Sequence, residues 1–248
     1  MTPINAITPR IFQKKFIVSN KSSNYYQEQP VKKQNVLDLE SECFINDKFS
    51  WLTSSTLKSS LKELYSLQFD ENDMRYLQSV GLNLPFTSGK DVVQYLEKEN
   101  VRIGFDKIPE PDVHAHYNYE KNIICINDKY KNSQSRPVVL AIASAILHEA
   151  SHAKDKDGMA SIQEELECLG MNAMAHRAFI KKYTDIFKNS NIPIIQDGVS
   201  LYADLFFNYP NLNDLVLRVR TKYGYLPVGC EKHHPSELAF RVKNTKAY

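Results

Sequence analysis

Residues 148–152 read His-Glu-Ala-Ser-His, a pattern that can bind a metal ion and activate water. Residues four apart lie one helical turn apart on the same face, so the imidazoles of His148 and His152 can reach one Zn²⁺ ion. Glu149 lies about 100° around the helix from His148. Zinc lowers the pKa of a bound water to about 7, and a nearby carboxylate can accept its proton. The spacing therefore predicts hydrolysis of peptide bonds with Glu149 as the general base.

A catalytic zinc site needs a third protein ligand, and the next predicted helix carries Glu164, Glu165 and Glu167. At about 100° per residue, Glu165 falls near the middle of the apolar stripe of that helix, and the other two fall on its edges. Glu164 is also expected to form a capping box with Ser161. A carboxylate on a buried face needs a cation, so Glu165 is the predicted third ligand. A partly exposed glutamate that interacts with the helix dipole is the alternative.

The motif lies in a predicted helix at 138–154 that is apolar on almost every side, which is typical of a buried helix. Pro137 stands at its start, where proline is tolerated. Two histidines and a glutamate in such a helix cost desolvation energy unless a metal compensates. The alternative is a chance motif of hydrogen-bonded core residues in a metal-free helical protein.

The elements around this helix predict a mostly helical α+β fold. Residues 113–119 alternate, 120–122 form a polar turn and 123–126 are rich in β-formers, so a β-hairpin is expected to pack on the motif helix. A further strand is predicted at 101–105. Helices are predicted at 57–67, from Asp70, from Ser88, from Ser161 to about Phe187, and around 199–208 and 212–223.

Composition divides the chain into three predicted segments. Residues 1–48 are predicted to be a flexible N-terminal tail, because 19–35 has almost no aliphatic side chains. Residues 49–108 form a helical lead-in subdomain, and 109–248 form the domain that carries the motif, with a helical C-terminal part. Hydrophobic residues are 42% of the chain and charged residues 24%, so a sizeable core can form.

Charge and cysteine content exclude several classes of protein. The net charge is +2 and the lysines are scattered, so no nucleic-acid partner is predicted. Four cysteines without a CxxC pair indicate neither a disulfide framework nor a four-cysteine zinc site. With no signal peptide or membrane span recognised, the expected location is cytoplasmic, and export by a route without such a signal remains open.

Over roughly residues 113–187 the chain resembles the gluzincin metallopeptidases, which pair H-E-x-x-H on one helix with a glutamate ligand on the next. The run Glu165-Leu166-Glu167-Cys168 is similar to the E-x-x-A run of small gluzincins. The resemblance implies a zincin-like, thermolysin-like core in which His148, His152 and Glu165 bind Zn²⁺. It also implies an extended peptide or protein substrate that adds along the hairpin edge near 117–127.

The sequence departs from related patterns at several positions. Lys154 stands where the extended zincin signature prefers an apolar residue, and Leu169 stands where many gluzincins have an aspartate that orients a histidine. The metzincin pattern is absent, because it requires a glycine at position 155 and a histidine at position 158, and this chain has Asp155 and Gly158 there. Asp155 or Asp157 as third ligand, in the manner of aspartate zincins, is a further alternative.

The predicted function is a zinc metallopeptidase, most simply an endopeptidase. The alternative is a catalytically silent zinc-binding module of gluzincin fold that serves interaction or regulation. Four residues are candidates to stabilise the transition state: Tyr202, Tyr209, His233 and His234. Cys230 with His233 and His234 is an alternative second metal site.

Overall fold

A computed structural model describes residues 36–110, 112–155, 160–189, 203–208 and 212–229. These residues all belong to one compact unit, Gln34–Tyr248. Its helices are α1 Val36–Lys48, α2 Ser55–Tyr65, α3 Glu71–Ser79, α4 Gly89–Lys98, α5 Arg136–Lys154, α6 Ile162–Lys182, α7 Thr184–Asn189 and α8 Leu212–Lys222. Asp128–Tyr130 is a 3₁₀ turn and Asp204–Asn208 a π-helical turn.

The described strands form one mixed sheet in the order β1-β3-β2, with β1 Arg102–Asp106, β2 Ala115–Asn118 and β3 Ile123–Asn127. β2 and β3 are the predicted hairpin, with Tyr117 opposite Ile124. β1 pairs parallel to β3, with Ile103 opposite Ile124. β3 is therefore the central strand of the described sheet. Of the hairpin predicted to offer an edge near 117–127, only β2 lies at an edge.

Helix starts follow from the capping residues in the sequence. Asp70 and Ser88 accept hydrogen bonds from the first-turn amides of α3 and α4, as predicted. Ser161 likewise accepts the backbone N–H of Glu164 at 3.1 Å. Pro137 lies in the first turn of α5, where its missing N–H costs nothing.

Helix α5 is the centre of the fold. It packs against α6, α2 and the sheet, and its buried side chains include Ile142, Ile146 and Leu147. Tyr95 of α4 donates to Ala153 O of α5 at 2.6 Å, and Thr56 of α2 donates to Ser133 O in the segment just before α5 at 3.0 Å. The helices of the predicted lead-in segment thus share one hydrophobic core with the segment that carries the motif. The mostly helical α+β class with a small sheet on α5 is confirmed.

Two helices depart from the predicted segment bounds. Val36–Lys48, which lies within the segment predicted as a flexible tail (1–48), is a helix whose Ile45 is fully buried. Residues 1–35 lie outside the described part. The helix predicted to run to Phe187 ends at Lys182, where Tyr183 leaves helical geometry and donates a 2.6 Å hydrogen bond to Glu63.

Among the described helices, none is both long and apolar enough to cross a lipid bilayer.

Candidate metal centre

The imidazole rings of His148 and His152 face each other with the edge that carries Nε2. Helix α5 places them four residues apart, and their Nε2 atoms are 3.2 Å apart. Both side chains are largely buried, at 14% and 16% exposure. Burial, followed by the charges of His152 and Lys222, lowers the pKa of His148 well below its usual range. His148 is therefore neutral, which is the form that binds a metal.

Glu165 of α6 points its carboxylate at this pair. Its Oε2 lies 3.7 Å from Nε2 of His148, and its Oε1 lies 3.6 Å from Nε2 of His152. In a tetrahedral zinc site with bonds of about 2.0–2.1 Å, ligand atoms lie about 3.4 Å apart. Glu165 Oε2 is buried and accepts no hydrogen bond from the described residues. A buried carboxylate oxygen without a donor beside two imidazoles fits a metal ligand.

Cys168 lies one turn further along α6. A nitrogen of His148, a nitrogen of His152 and the sulfur of Cys168 all lie within 4.8 Å of one another, so these residues form a group that could hold a metal ion. The thiol is 1% exposed, and burial raises its pKa to about 12. Helix α6 therefore presents two possible partners for the histidine pair, Glu165 and Cys168.

Hydrogen bonds hold the outer nitrogen of each imidazole. Nδ1 of His152 lies 2.6 Å from Oε1 of Glu164. Burial alone would lower the pKa of His152, but contacts with Cys168 and Glu164 and the charge of Glu149 raise it well above its usual range. Glu164 was expected to return to Ser161 in a capping box; its side chain bonds His152 instead, because the crossing of α5 and α6 brings that ring within reach.

Asn172 contacts the other histidine. Its amide nitrogen lies 3.1 Å from Nδ1 of His148, and its Oδ1 accepts a hydrogen bond from Ser144 at 3.3 Å. A 180° turn of the amide exchanges its oxygen and nitrogen. The oxygen of Asn172 would then accept a hydrogen bond from the Nδ1–H of His148, and this tautomer leaves Nε2 free for a metal. Asn172 thus makes a contact with Nδ1 of His148 that the apolar side chain of Leu169 cannot make.

Glu149 is buried beside the histidines at 8% exposure. Burial raises the pKa of Glu149 to about 7, against the lowering effect of His152 and of a hydrogen bond from the backbone N–H of Tyr117. That amide belongs to β2, so the edge strand fixes the carboxylate. A carboxyl group with a pKa near 7 can take up and release a proton at neutral pH.

These groups line one cleft with a volume of about 1110 Å³. Along one side run α5 and β2, and α6 and the residues after α8 form the opposite wall. Lining side chains near the histidines are Tyr117, Ala145, Glu165, Asn172, Lys222 and Tyr223. Glu149 and the histidine pair therefore lie on the wall of this cleft.

Three other polar residues of α5 and α6 lie away from the histidine pair: His176, Glu167 and Lys154. His176 is buried outside the cleft lining. Glu167 accepts the backbone N–H of Asn83 at 3.2 Å and so faces α3. The Lys154 ammonium lies 4.3 Å from the ring centroid of Phe86 and donates to the Pro85 carbonyl. Lys154 stands where the extended zincin signature prefers an apolar residue, but its ammonium points toward Phe86 and Pro85 and not toward the candidate metal centre.

Asp155 lines the cleft but is not part of the His148, His152 and Cys168 group. Several predicted candidates lie outside the described residues: Asp157, Gly158, Tyr202, Tyr209, Cys230, His233 and His234.

Tyr223 was not among the residues predicted from the sequence. Its hydroxyl donates a hydrogen bond to the Glu165 carboxylate, and the residue lines the cleft. It ends the predicted helix 212–223 and has no local signal that distinguishes it from other tyrosines. Its role depends on the return of the chain to the start of α6, which only the tertiary structure reveals.

Comparison of the chain with known protein families, curated proteins and solved structures finds no match.

Proposed function

We propose that the chain is a zinc-dependent peptidase, with His148, His152 and Glu165 as metal ligands and Glu149 as the general base. One observation carries the proposal: two imidazole nitrogens and the carboxylate of Glu165 converge at 3.2–3.7 Å on a cleft wall, with Glu149 beside them, and the buried Oε2 of Glu165 accepts no hydrogen bond from the described residues. Two histidines and one carboxylate are a usual ligand set of catalytic zinc, which keeps one position open.

Glu165 is favoured over Cys168 as the third ligand by its position. Glu165 lines the cleft, whereas Cys168 is not among the lining residues. A metal held by Glu165 would thus face the space that a substrate can enter. The hydrogen bond from Tyr223 and the direction of Oε2 support the same choice.

Bound zinc would supply a Lewis acid for the substrate carbonyl and lower the pKa of water. The protein's own part is to hold that chemistry in place. Glu164 and Asn172 fix the imidazole rings, and the Tyr117 amide fixes the Glu149 carboxylate. With its pKa near 7, Glu149 can accept a proton from the attacking water and release it to the leaving amine.

An extended peptide is the substrate that the cleft suits best. β2 lies at one edge of the described sheet and borders the cleft, so its backbone can pair with an added strand. Alternate side chains of that peptide would then point toward α5, whose small Ala141 and Ala145 leave room. The packing of the edge strand, the motif helix and the glutamate helix supports the proposal of a zincin-like core, which the resemblance to gluzincins implies.

Metal content of the purified full chain tests the site. We expect about one zinc per chain by mass spectrometry, lost in His148→Ala and Glu165→Ala and kept in Glu149→Gln and Cys168→Ala. His176→Ala is the matched control, because it removes a buried imidazole outside the cleft. Wild-type chain that takes up no zinc even when zinc is offered would overturn the proposal, and loss in Cys168→Ala rather than Glu165→Ala would replace the third ligand.

Activity separates the peptidase from a silent zinc-binding module. A mixture of peptides is incubated with zinc-loaded protein, and cleavage is read by mass spectrometry. Glu149→Gln should reduce the rate by about 10²–10⁴-fold. Glu167→Gln is the control, since burial raises the pKa of Glu167 to about 7 as well but its side chain faces α3. Zinc binding without cleavage of any peptide by the wild type would favour the silent module.

A further inference from the structure

Residues 223–229, here called the C-terminal strap, leave α8 and return to the start of α6. Tyr223 continues the helical bonding with a 2.8 Å bond from its N–H to Val219 O, and Leu226 N–H donates to Tyr223 O at 2.9 Å. These bonds fix the backbone of Tyr223 at the cleft wall. From there its hydroxyl reaches the Glu165 carboxylate.

The far end of the strap is tied to the first turn of α6. Pro227 O accepts the N–H of Ile162 at 2.9 Å, and Val228 O accepts the N–H of Gln163 at 3.1 Å. The first amides of a helix have no partner within the helix. The strap therefore supplies the carbonyls that the start of α6 needs, two residues before Glu165.

Gly229, at the end of the strap, lies against the N-cap residue of α6. It adopts φ +75°, and a Cβ added there would collide with the side chain of the N-cap residue Ser161. A side chain at this position would be strained for both reasons. Glycine at position 229 thus lets the backbone of the strap lie against Ser161, where a residue with a side chain would collide.

We propose that the C-terminal strap is part of the metal centre, with Tyr223 as the positioning residue that holds Glu165 toward the histidine pair. The inference rests on the proposed function only in taking Glu165 as a metal ligand. The strap fixes Tyr223 from one end through α8 and from the other through α6. Detachment of the strap would remove the hydrogen bond on Glu165 and the cap of the helix that carries it.

Partners that orient a metal ligand typically contribute about 10–100-fold in metal affinity. Tyr223→Phe removes only the hydroxyl, so we expect zinc to bind about 10-fold more weakly with the fold retained. Gly229→Ala touches neither the cleft nor a ligand, and we expect a similar loss because it lifts the strap from Ser161. Tyr225→Phe is the matched control: Tyr225 lies in the same strap and is 80% exposed.

The experiment measures zinc affinity of the full chain by competition with a chromophoric chelator, and the visible spectrum of the Co²⁺-loaded protein. We expect Tyr223→Phe to change both, whereas Tyr225→Phe changes neither. In the Tyr223→Phe background, Gly229→Ala should add less than its full loss, because part of its effect acts through the hydrogen bond that Tyr223→Phe has already removed.

Wild-type affinity and spectrum equal to those of Tyr223→Phe would overturn the inference while leaving the zinc site intact. Fully additive losses in the double variant would also overturn it, because Gly229 would then act by another route. Wild-type protein that binds no zinc would instead overturn the proposed function.

Discussion

Oε1 of Glu164 lies 2.6 Å from Nδ1 of His152, while the next residue, Glu165, turns its carboxylate to the Nε2 side of the same ring. Successive residues of α6 thus contact opposite edges of one imidazole. This is possible because they point about 100° apart around the helix. The contact with Glu164 orients the His152 ring. Leu169, which stands where many gluzincins have an orienting aspartate, has no polar group that could do so.

Removal of this contact should weaken metal binding. In Glu164→Ala, Nδ1 of His152 loses its partner, and we expect zinc affinity to fall by about 10–100-fold. Glu164→Gln retains an acceptor without charge and should lose less. Chelator competition measures both. Glu167→Gln should bind zinc like the wild type, and equal affinity in Glu164→Ala would contradict the role of Glu164.

Gly89 should tolerate no side chain. A Cβ there would overlap Leu64 O and lie 2.8 Å from Leu64 C, so backbone would have to move. We expect Gly89→Ala to lower the free energy of unfolding by about 3 kcal/mol, the upper range for overpacking. Gly104→Ala is the control, since its nearest neighbour would be the Ile123 side chain at 3.7 Å. Urea unfolding compares the two, and similar losses would contradict the clash.

The stability of the chain should depend on pH through Glu167. Burial raises the pKa of Glu167 from 4.5 to about 7, against opposing hydrogen bonds from Gln163 and Asn83. The folded state therefore holds the proton more tightly than the unfolded state, and the carboxylate costs stability as pH rises from about 4.5 through 7. Glu167→Gln should stabilise the chain by about 2 kcal/mol at pH 8.

The gain in stability from Glu167→Gln should shrink toward pH 5, where the carboxyl group of Glu167 is protonated in the folded state. Urea unfolding of wild type and Glu167→Gln at pH 5 and pH 8 measures it. A variant that is no more stable than the wild type at pH 8 would show that the buried carboxylate carries no such cost.

Lys154 should prove irrelevant to the metal centre. Its ammonium packs on Phe86 and lies 5.8 Å from the ring centroid of Tyr95. Lys154→Met keeps the apolar stem and loses the cation–π contact, so we expect a loss of about 0.5–1 kcal/mol in the free energy of unfolding. Zinc content should be unchanged. A loss of zinc would mean that Lys154 supports the site from outside it.

How far the sequence predicts the site depends on the range of the interaction. The spacing of His148 and His152 and the apolar surroundings of α5 are local, because 3.6 residues per turn fix which side chains share a face. The same periodicity placed Glu165 on the buried stripe of α6. The β-hairpin and the starts of α3 and α4 were equally local, since they depend on turn and capping residues.

Contacts between elements were decided by the tertiary structure. Glu164 reaches His152 only because α5 and α6 cross at that point, and a local capping box was the nearest alternative. Lys154 turns toward Phe86 because α4 packs on the end of α5. The parallel pairing of β1 with β3 likewise depends on a connection that carries no local pattern.

The sequence by itself determined the motif helix, the glutamate helix and the three side chains that converge between them. Only the tertiary structure decided which groups orient those side chains: Glu164, Asn172, the Tyr117 amide and Tyr223. The physical reason is that helical periodicity acts over a few residues and is written in their spacing. Partners such as Tyr223 and Glu165 are 58 residues apart in the chain, and they meet through packing that no short pattern encodes.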